Sequence, residues 1–118
     1  MNDWVRSWWM LKMNKALSML GIATKAGKTV TGEFSTEKAV KEGKACLVIV
    51  AADASDNTKK KFHNMCDYYH VTMKVFSDKN SLGNACGKEF RASLAVTDMG
   101  LANAVGKHID SYNNLEVQ

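Results

Sequence analysis

The sequence predicts an α/β fold in which one sheet of about four strands lies between two layers of helices, a three-layer α/β/α sandwich. Segments with helical periodicity alternate with segments of strand character along nearly the whole chain. Residues 45–52 form a continuous apolar run, as expected for a central strand covered on both faces. The connections are long enough for helical crossovers, so a layered α/β domain is favoured.

The first half of the pattern supplies two helices and two strands. Residues 14–26 carry apolar side chains at three- and four-residue steps, which predicts a helix, and Gly27 is placed to end it in the left-handed conformation. A short strand at 29–30 and a second helix over 33–42 follow. The apolar run 45–52 is then the second strand.

The third helix is predicted from its caps and its apolar stripe. Asp53, Ser55 and Asp56 supply capping oxygens at its start. The side chains expected to face the core recur at helical spacing, at Phe62, Met65, Cys66 and Tyr69. The run Lys59, Lys60 and Lys61 falls on the outer face of this helix. It is either a solvated surface or a secondary contact to phosphate.

Four further elements complete the pattern. Residues 72–76 alternate as a strand does, and a turn-rich stretch leads into a short helix that Gly87 closes. Residues 93–96 form another apolar strand. Asp98 is placed to cap the last helix.

The two ends of the chain differ from the part between them. At 118 residues the chain has the size of one domain, which we place at residues 13–110. Residues 1–12 contain all three tryptophans and lack the apolar stretch of a secretory signal. We expect an extension ahead of the domain, with a membrane-touching amphipathic segment as the alternative. Residues 111–118 are polar, and we expect a loose tail.

The charge distribution favours a polyanionic partner. The formal net charge is +4, and 46% hydrophobic with 24% charged residues is ordinary globular usage, which argues against disorder and against a membrane span. Residues 1–61 hold 11 Lys or Arg against 6 Asp or Glu, whereas residues 62–118 hold 5 against 6. A one-sided basic field attracts nucleic acid, although lysines also serve simply to keep a surface soluble.

The cysteine pattern indicates a reducing compartment. Cys46, Cys66 and Cys86 are odd in number, and no C-x-x-C pair is present. This pattern fits neither a disulfide framework nor a zinc site. We therefore expect free cysteines packed in the core and a cytoplasmic protein.

Enzymatic functions find little support. The Gly-Lys pair at 27–28 suggests a phosphate-binding loop, but Ile22 stands where that motif needs glycine, and a helix rather than a strand precedes it. Asp53 and Asp98 each follow an apolar strand, so a small hydrolase using both carboxylates stays open beside the capping role. The three histidines lie on different predicted elements without metal-ligand spacing. We expect no metal and no cofactor.

The start of the second helix combines several features that bind anions. The first turn of a helix offers free N–H groups and the positive end of the dipole. Gly32 permits a close approach of the backbone, and Lys38 and Lys41 follow on the helix.

Four short motifs in order resemble the ribosomal L7Ae/L30e superfamily, and most closely its small bacterial YlxQ-like members. These motifs are A-G-K at 26–28, E-G-K-A at 42–45, L-V-I-V-A-x-D at 47–53 and L-G-x-A-x-G-K at 82–88. The resemblance covers about residues 14–109. It implies an α/β/α sandwich with a mixed sheet that binds folded RNA, in many members the kink-turn with its tandem G·A pairs.

The resemblance also implies a set of RNA-binding residues. In that family the second helix begins with G-x-N-E-x-x-K, and Gly32 and Lys38 match this pattern, which makes Lys38 the expected contact to guanine or phosphate. Phe34 and Ser35 stand where the family has Asn and Glu, so the two side chains that read the G·A region are absent while electrostatic binding is retained. The second contact of the family is an apolar loop before the last strand, which corresponds here to Phe90, Arg91 and Ala92.

We therefore expect a monomeric, cytoplasmic, non-enzymatic protein that binds structured RNA in a ribosome- or translation-associated role. The groups expected to hold phosphates are the backbone N–H groups of Gly32 and Glu33 and the side chains of Lys28, Lys38, Lys41 and Arg91. Ser35 and Phe90 would contact bases or sugars. The alternative is a protein-interaction adaptor on the same scaffold, in which an exposed Phe34 anchors a partner.

Overall fold

The computed structural model describes the backbone of residues 3–117 and the side chains of residues 10–114. Helices and strands alternate along this part of the chain. The helices are Asp3–Lys25 (α1), Glu33–Lys41 (α2), Asp56–Tyr69 (α3), Lys79–Ala85 (α4) and Met99–Val117 (α5). The strands are Thr29–Thr31 (β1), Leu47–Val50 (β2), Thr72–Val75 (β3) and Ser93–Val96 (β4). Within the described residues, no helix is both long enough and apolar enough to cross a membrane.

The four strands form one mixed sheet in the order β1-β4-β2-β3. Strand β4 runs antiparallel to both of its neighbours, and β3 runs parallel to β2. At the centre, Val48 of β2 is paired with Ala95 of β4 on one side and with Met73 of β3 on the other. Every residue of β2 and β4 is buried, because both faces of these strands are covered.

Two layers of helices cover the sheet, as predicted. Helices α2 and α3 contact each other, with α2 against β1 and β4 and α3 against β2 and β3. Helix α1 packs against α5 and α4 in the other layer. The core between the layers includes Leu20, Phe62, Leu82 and Ile109, which are all fully buried.

The strand directions bring the starts of three helices to one side of the sheet. Strands β1, β2 and β3 all end at this edge, and β4 begins there. Helices α2, α3 and α4 therefore begin at this edge, which we call the α2 edge. The opposite edge carries Lys28, at the start of β1, and Asp98, after the end of β4.

The ends of the chain are more helical than expected. Helix α1 begins at Asp3, so residues 3–12 continue the helix that the sequence predicted from residue 14. Whether these residues lie outside the domain stays a prediction, and the three tryptophan side chains lie outside the described residues. The prediction of a loose tail is wrong up to residue 117, because α5 extends to Val117. Within this segment, Tyr112 makes an edge-to-face contact with Phe76, with 5.4 Å between the ring centroids.

The cysteines are free thiols, as predicted. Cys66 and Cys86 are buried in the core, whereas Cys46 is only half-buried. In the third helix, Phe62 and Cys66 are buried, but Tyr69 is exposed at the end of the helix.

Candidate nucleic-acid interface

The turn into α2 leaves the first helical N–H groups open. Gly32 lies at φ 93° and ψ 161°, a conformation that L side chains rarely adopt. Its N–H donates to the Ser93 carbonyl at 2.9 Å, and its carbonyl accepts the first helical hydrogen bond, from Thr36 N–H at 3.0 Å. The N–H groups of Glu33, Phe34 and Ser35 have no acceptor within the helix. These three groups, rather than that of Gly32, can therefore bind an anion at the α2 edge.

The loop before β4 is attached to three elements through its backbone and through Arg91. Arg91 N–H donates to the Lys79 carbonyl at 3.1 Å, which joins the loop to α4. Arg91 Nε donates to Thr31 Oγ1 on β1 at 3.2 Å, and Nη1 donates to the Phe90 carbonyl at 2.8 Å. The Ala92 carbonyl accepts from Ala51 N–H, beside β2, at 2.9 Å. The loop is thereby fixed beside the turn into α2.

Gly83 allows this loop to lie directly on α4. A Cβ atom at Gly83 would be 1.5 Å from the Glu89 carbonyl oxygen, far inside contact distance. The Lys88 N–H also donates to the Gly83 carbonyl at 2.8 Å. The loop backbone thus occupies the space that any side chain at this position would fill, a contact that the sequence pattern around Gly83 did not predict.

Two phenylalanine side chains point into solvent at the α2 edge. Phe34, in the first turn of α2, is 78% exposed, and Phe90, in the loop, is 67% exposed. They flank the hydrogen bond between Gly32 and Ser93, since Phe34 follows Gly32 by two residues and Phe90 precedes Ser93 by three. An exposed apolar ring is not stabilised by the fold itself, so both rings are available to a ligand.

The charges on α2 are partly neutralised by α3. Lys61 Nζ lies 2.9 Å from Glu33 Oε1 and 2.9 Å from Glu37 Oε2. Lys41 also pairs with Glu37, at 2.9 Å. Hydrogen bonds from Lys41, the larger effect, and from Lys61 lower the pKa of Glu37. The hydrogen bonds that Lys61 donates to Glu33 and Glu37 raise the pKa of Lys61. Lys38 is exposed and makes no ion pair with any described residue, so its charge faces solvent.

The two carboxylates of the hydrolase hypothesis do not share a cleft. Asp53 Oδ1 accepts from Lys79 N–H at 2.9 Å at the α2 edge, and Asp98 Oδ2 accepts from Leu101 N–H at 2.9 Å at the opposite edge. The hypothesis is therefore wrong. The prediction that Asp53 caps α3 is also wrong, because its carboxylate binds the first residue of α4, and Ser55 Oγ caps α3 by accepting from Thr58 N–H at 3.1 Å.

The chain matches a family model over residues 14–106, and the description of that family is the ribosomal protein L7Ae/L30e/S12e/Gadd45 family. The chain belongs to this family. The RNA-binding protein YlxQ of Bacillus subtilis is 41% identical over 92 residues, which are 78% of this chain and 92% of that protein. The large ribosomal subunit protein eL30 of Methanoregula boonei is 36% identical over 80 residues, 66% of this chain and 79% of that protein.

Solved structures share the fold of this family member. A Bacillus halodurans protein of unknown function superposes with a TM-score of 0.79 at 40% identity, over 81% of this chain and 97% of that one. The Giardia lamblia 15.5kD RNA binding protein superposes with a TM-score of 0.67 at 25% identity, over 98% of this chain and 92% of that one. The predicted α/β sandwich of the L7Ae type is confirmed.

The structure brings most of the predicted site residues of this L7Ae-family chain to the α2 edge. The residues on the first turn of α2 or in the loop before β4 are Gly32, Glu33, Phe34, Ser35, Phe90, Arg91 and Ala92. Lys38 lies one turn further along α2, and Lys41 is the last residue of that helix. Lys28 is separated from them, because it precedes β1 at the opposite edge, where its carbonyl accepts from Thr97 N–H at 2.8 Å.

Proposed function

We propose that this protein binds structured RNA at the α2 edge. The observation that carries the proposal is the open N-terminus of α2, where the N–H groups of residues 33–35 and the exposed ammonium of Lys38 lie beside an exposed, well-fixed loop. Helix N-termini bind phosphate through such N–H groups and the helix dipole. The relatives from Bacillus subtilis and Giardia lamblia, which are named as RNA-binding proteins, support the same function.

The contacts divide into those that bind phosphate and those that touch bases. The N–H groups of residues 33–35 bind phosphate, Lys38 contacts phosphate or a guanine, and Ser35 and the loop at 90–92 contact bases or sugars. Lys41 contributes less than a free lysine, because Glu37 already pairs with it. Lys28 can contact the RNA only if the RNA extends to the opposite edge of the sheet.

A kink-turn in a ribosomal or translation-associated RNA is the specific target that we propose. Gly32 and Lys38 occupy the first and last positions of the pattern G-x-N-E-x-x-K. Phe34 and Ser35 replace the Asn and Glu of that pattern, so recognition of the G·A pairs rests on Lys38 and on the shape of the RNA. The match to eL30, a ribosomal protein, supports the association with the ribosome.

A titration of two RNAs at two salt concentrations tests this proposal. One RNA contains a kink-turn, and the other is the same RNA with its G·A pairs replaced. We expect the wild-type protein to prefer the intact kink-turn, with a plot of log K against log salt whose slope corresponds to several phosphates. Lys38→Ala should weaken binding to the kink-turn by about 1 kcal/mol or more. Equal binding to both RNAs would leave RNA binding in place and refute kink-turn specificity.

The second candidate function is a protein-interaction adaptor. The observation in its favour is the exposure of Phe34, since a large apolar side chain that projects into solvent is typical of an interface anchor. The same titration separates the two functions. An affinity that does not change with salt, or no binding to either RNA, would refute the RNA-binding proposal in favour of the adaptor.

A further inference from the structure

Strand β3 is the outermost strand on one side of the sheet. Its neighbour is β2, and within the described residues no strand lies on its other side. The Phe76 N–H donates to the Val50 carbonyl of β2 at 3.0 Å. Because the N–H and C=O groups of successive strand residues alternate in direction, those of Met73 and Val75 point away from β2. The outer side of β3 can therefore form hydrogen bonds with an added strand.

The charge that would protect this side of the sheet is folded away from it. Outermost strands usually carry a charged side chain, often lysine, that prevents another strand from pairing. In β3 this residue is Lys74, but its Nζ lies 2.6 Å from Asp110 Oδ1 on α5 and its side chain is only 20% exposed. Its stem crosses α5 at Gly106, where a Cβ atom would lie 3.3 Å from Lys74 Cε. The exposed side chains that remain on β3, Thr72 and Val75, are uncharged.

A groove between β3 and α5 indicates the chemistry of the partner. The groove has a volume of about 450 Å³, and the residues that give it its polar character and its depth are Thr72, Lys74, Asn103, Gly106, Lys107 and Asp110. Asp110 already pairs with Lys74. Lys107 is exposed and makes no ion pair with any described residue, so the groove carries excess positive charge. A carboxylate is the side chain that complements it.

We propose that the outer side of β3 binds an extended segment of a partner protein, which adds an antiparallel fifth strand to the sheet and places an acidic side chain in the groove. Two residues of that segment exchange backbone hydrogen bonds with Met73 and Val75. The acidic residue between them then lies opposite Lys74, on the face of the sheet that carries Lys107. The groove lies at the start of β3, away from the α2 edge, so this site is separate from the proposed RNA site.

A second copy of this chain fits the same site less well. Two β3 strands that pair antiparallel about a twofold axis would bring the two grooves side by side. The excess positive charges of both grooves would then lie next to each other, which is unfavourable. An acidic segment from a different protein has the complementary charge instead.

The test uses the peptide Ac-STVEVTS-NH2, in which the two valines would pair with Met73 and Val75 and the glutamate would enter the groove. Amide hydrogen exchange followed by NMR measures the binding. With free peptide at about ten times its Kd, exchange of the Met73 and Val75 N–H groups should slow by about tenfold. Exchange of the Phe34 and Ser35 N–H groups at the α2 edge should not change. The same peptide with both valines N-methylated lacks the two donors and should not bind.

Three protein variants make the site specific. Lys107→Glu should weaken peptide binding by about 3-fold to about 10-fold, because it reverses the charge in the groove. Lys25→Glu is the matched control, since it changes the net charge equally at an exposed position outside the groove. Val75→Pro removes an N–H that points away from β2, so it should prevent binding while the fold is retained, as outermost strands tolerate proline at such positions. If Val75→Pro unfolds the protein, the N-methylated peptide tests the same hydrogen bonds on the native chain.

Each outcome supports or overturns one part of the proposal. If the peptide leaves the exchange of the Met73 and Val75 N–H groups unchanged, or if its N-methylated form binds equally well, strand addition is overturned. Equal weakening by Lys107→Glu and Lys25→Glu would show that the glutamate does not enter the groove. A wild-type protein that sediments as a dimer, and that Val75→Pro converts to a monomer, would assign the site to a second copy. Failure to bind kink-turn RNA would refute the proposed function and leave this site standing.

Discussion

Lys61 on α3 is hydrogen-bonded to Glu33 on α2, with 2.9 Å between its ammonium nitrogen and the carboxylate oxygen. The same ammonium lies 2.9 Å from Glu37. Both acids lie on the helix whose N-terminus we propose as the phosphate site. Their negative charges would repel RNA if they were unpaired. We therefore expect Lys61 to reduce the electrostatic repulsion between α2 and a polyanion without contacting the polyanion itself.

Lys61→Met should weaken RNA binding by roughly fivefold, because it leaves Glu33 and Glu37 without their shared partner. The unfolding transition should change little, since the pair lies on the surface. The decisive comparison is the triple variant that adds Glu33→Gln and Glu37→Gln, which should regain most of the lost affinity in the same RNA titration. If affinity is not regained, Lys61 binds the RNA directly and the neutralising role is wrong.

The fold could be predicted because its signals are local. The apolar run around β2, the glycine at 27 that ends α1 and the alternation of elements each involve neighbouring residues. The ends of the helices were harder to predict. Residues 3–12 and 111–117 extend α1 and α5, two helices that pack against each other although they lie at opposite ends of the sequence.

The site could be predicted only in part, because side-chain partners depend on contacts between distant elements. The sequence indicated that Arg91 contacts phosphate, whereas the pairing of β1 with β4 places its Nε against Thr31, sixty positions away. Lys61 was interpreted, with Lys59 and Lys60, as part of a solvated surface or a secondary contact to phosphate, but the packing of α3 on α2 pairs it with two acids. Lys28 was grouped with Gly32 by its position in the sequence, although β1 separates them.

Gly83→Ala should destabilise the protein by about 1–3 kcal/mol, because the added methyl group overlaps the Glu89 carbonyl and the loop must move. Urea unfolding measures this loss. Gly100→Ala is the matched control, since its Cβ would meet only the Asp98 carboxylate at 3.4 Å, and alanine favours the helix. Equal stability of the wild-type and Gly83→Ala proteins would mean that the loop is not seated on α4.

Burial raises the pKa of the Cys66 thiol from its ordinary value of 9.0 to about 11. Between these values the folded protein binds more protons than the unfolded chain. The free energy of unfolding should therefore fall as the pH rises from about 9 to about 11. Cys66→Ala removes this contribution, so its unfolding free energy should fall less steeply over the same pH range. If the unfolding free energies of the two proteins fall equally steeply with pH, the pKa of Cys66 is not raised in the folded protein.

The carboxylate of Asp98 caps α5. Two substitutions test whether the cap needs only an oxygen acceptor or also the negative charge. Asp98→Ala removes the acceptor for the Leu101 N–H and should lower the free energy of unfolding by about 1 kcal/mol. Asp98→Asn keeps an oxygen acceptor in the same place, so its unfolding free energy should stay close to that of the wild-type protein. Both variants should bind RNA normally, because Asp98 lies at the edge of the sheet opposite to α2. If Asp98→Asn proves as destabilising as Asp98→Ala, the negative charge itself is needed, as expected when a carboxylate interacts with the dipole of α5.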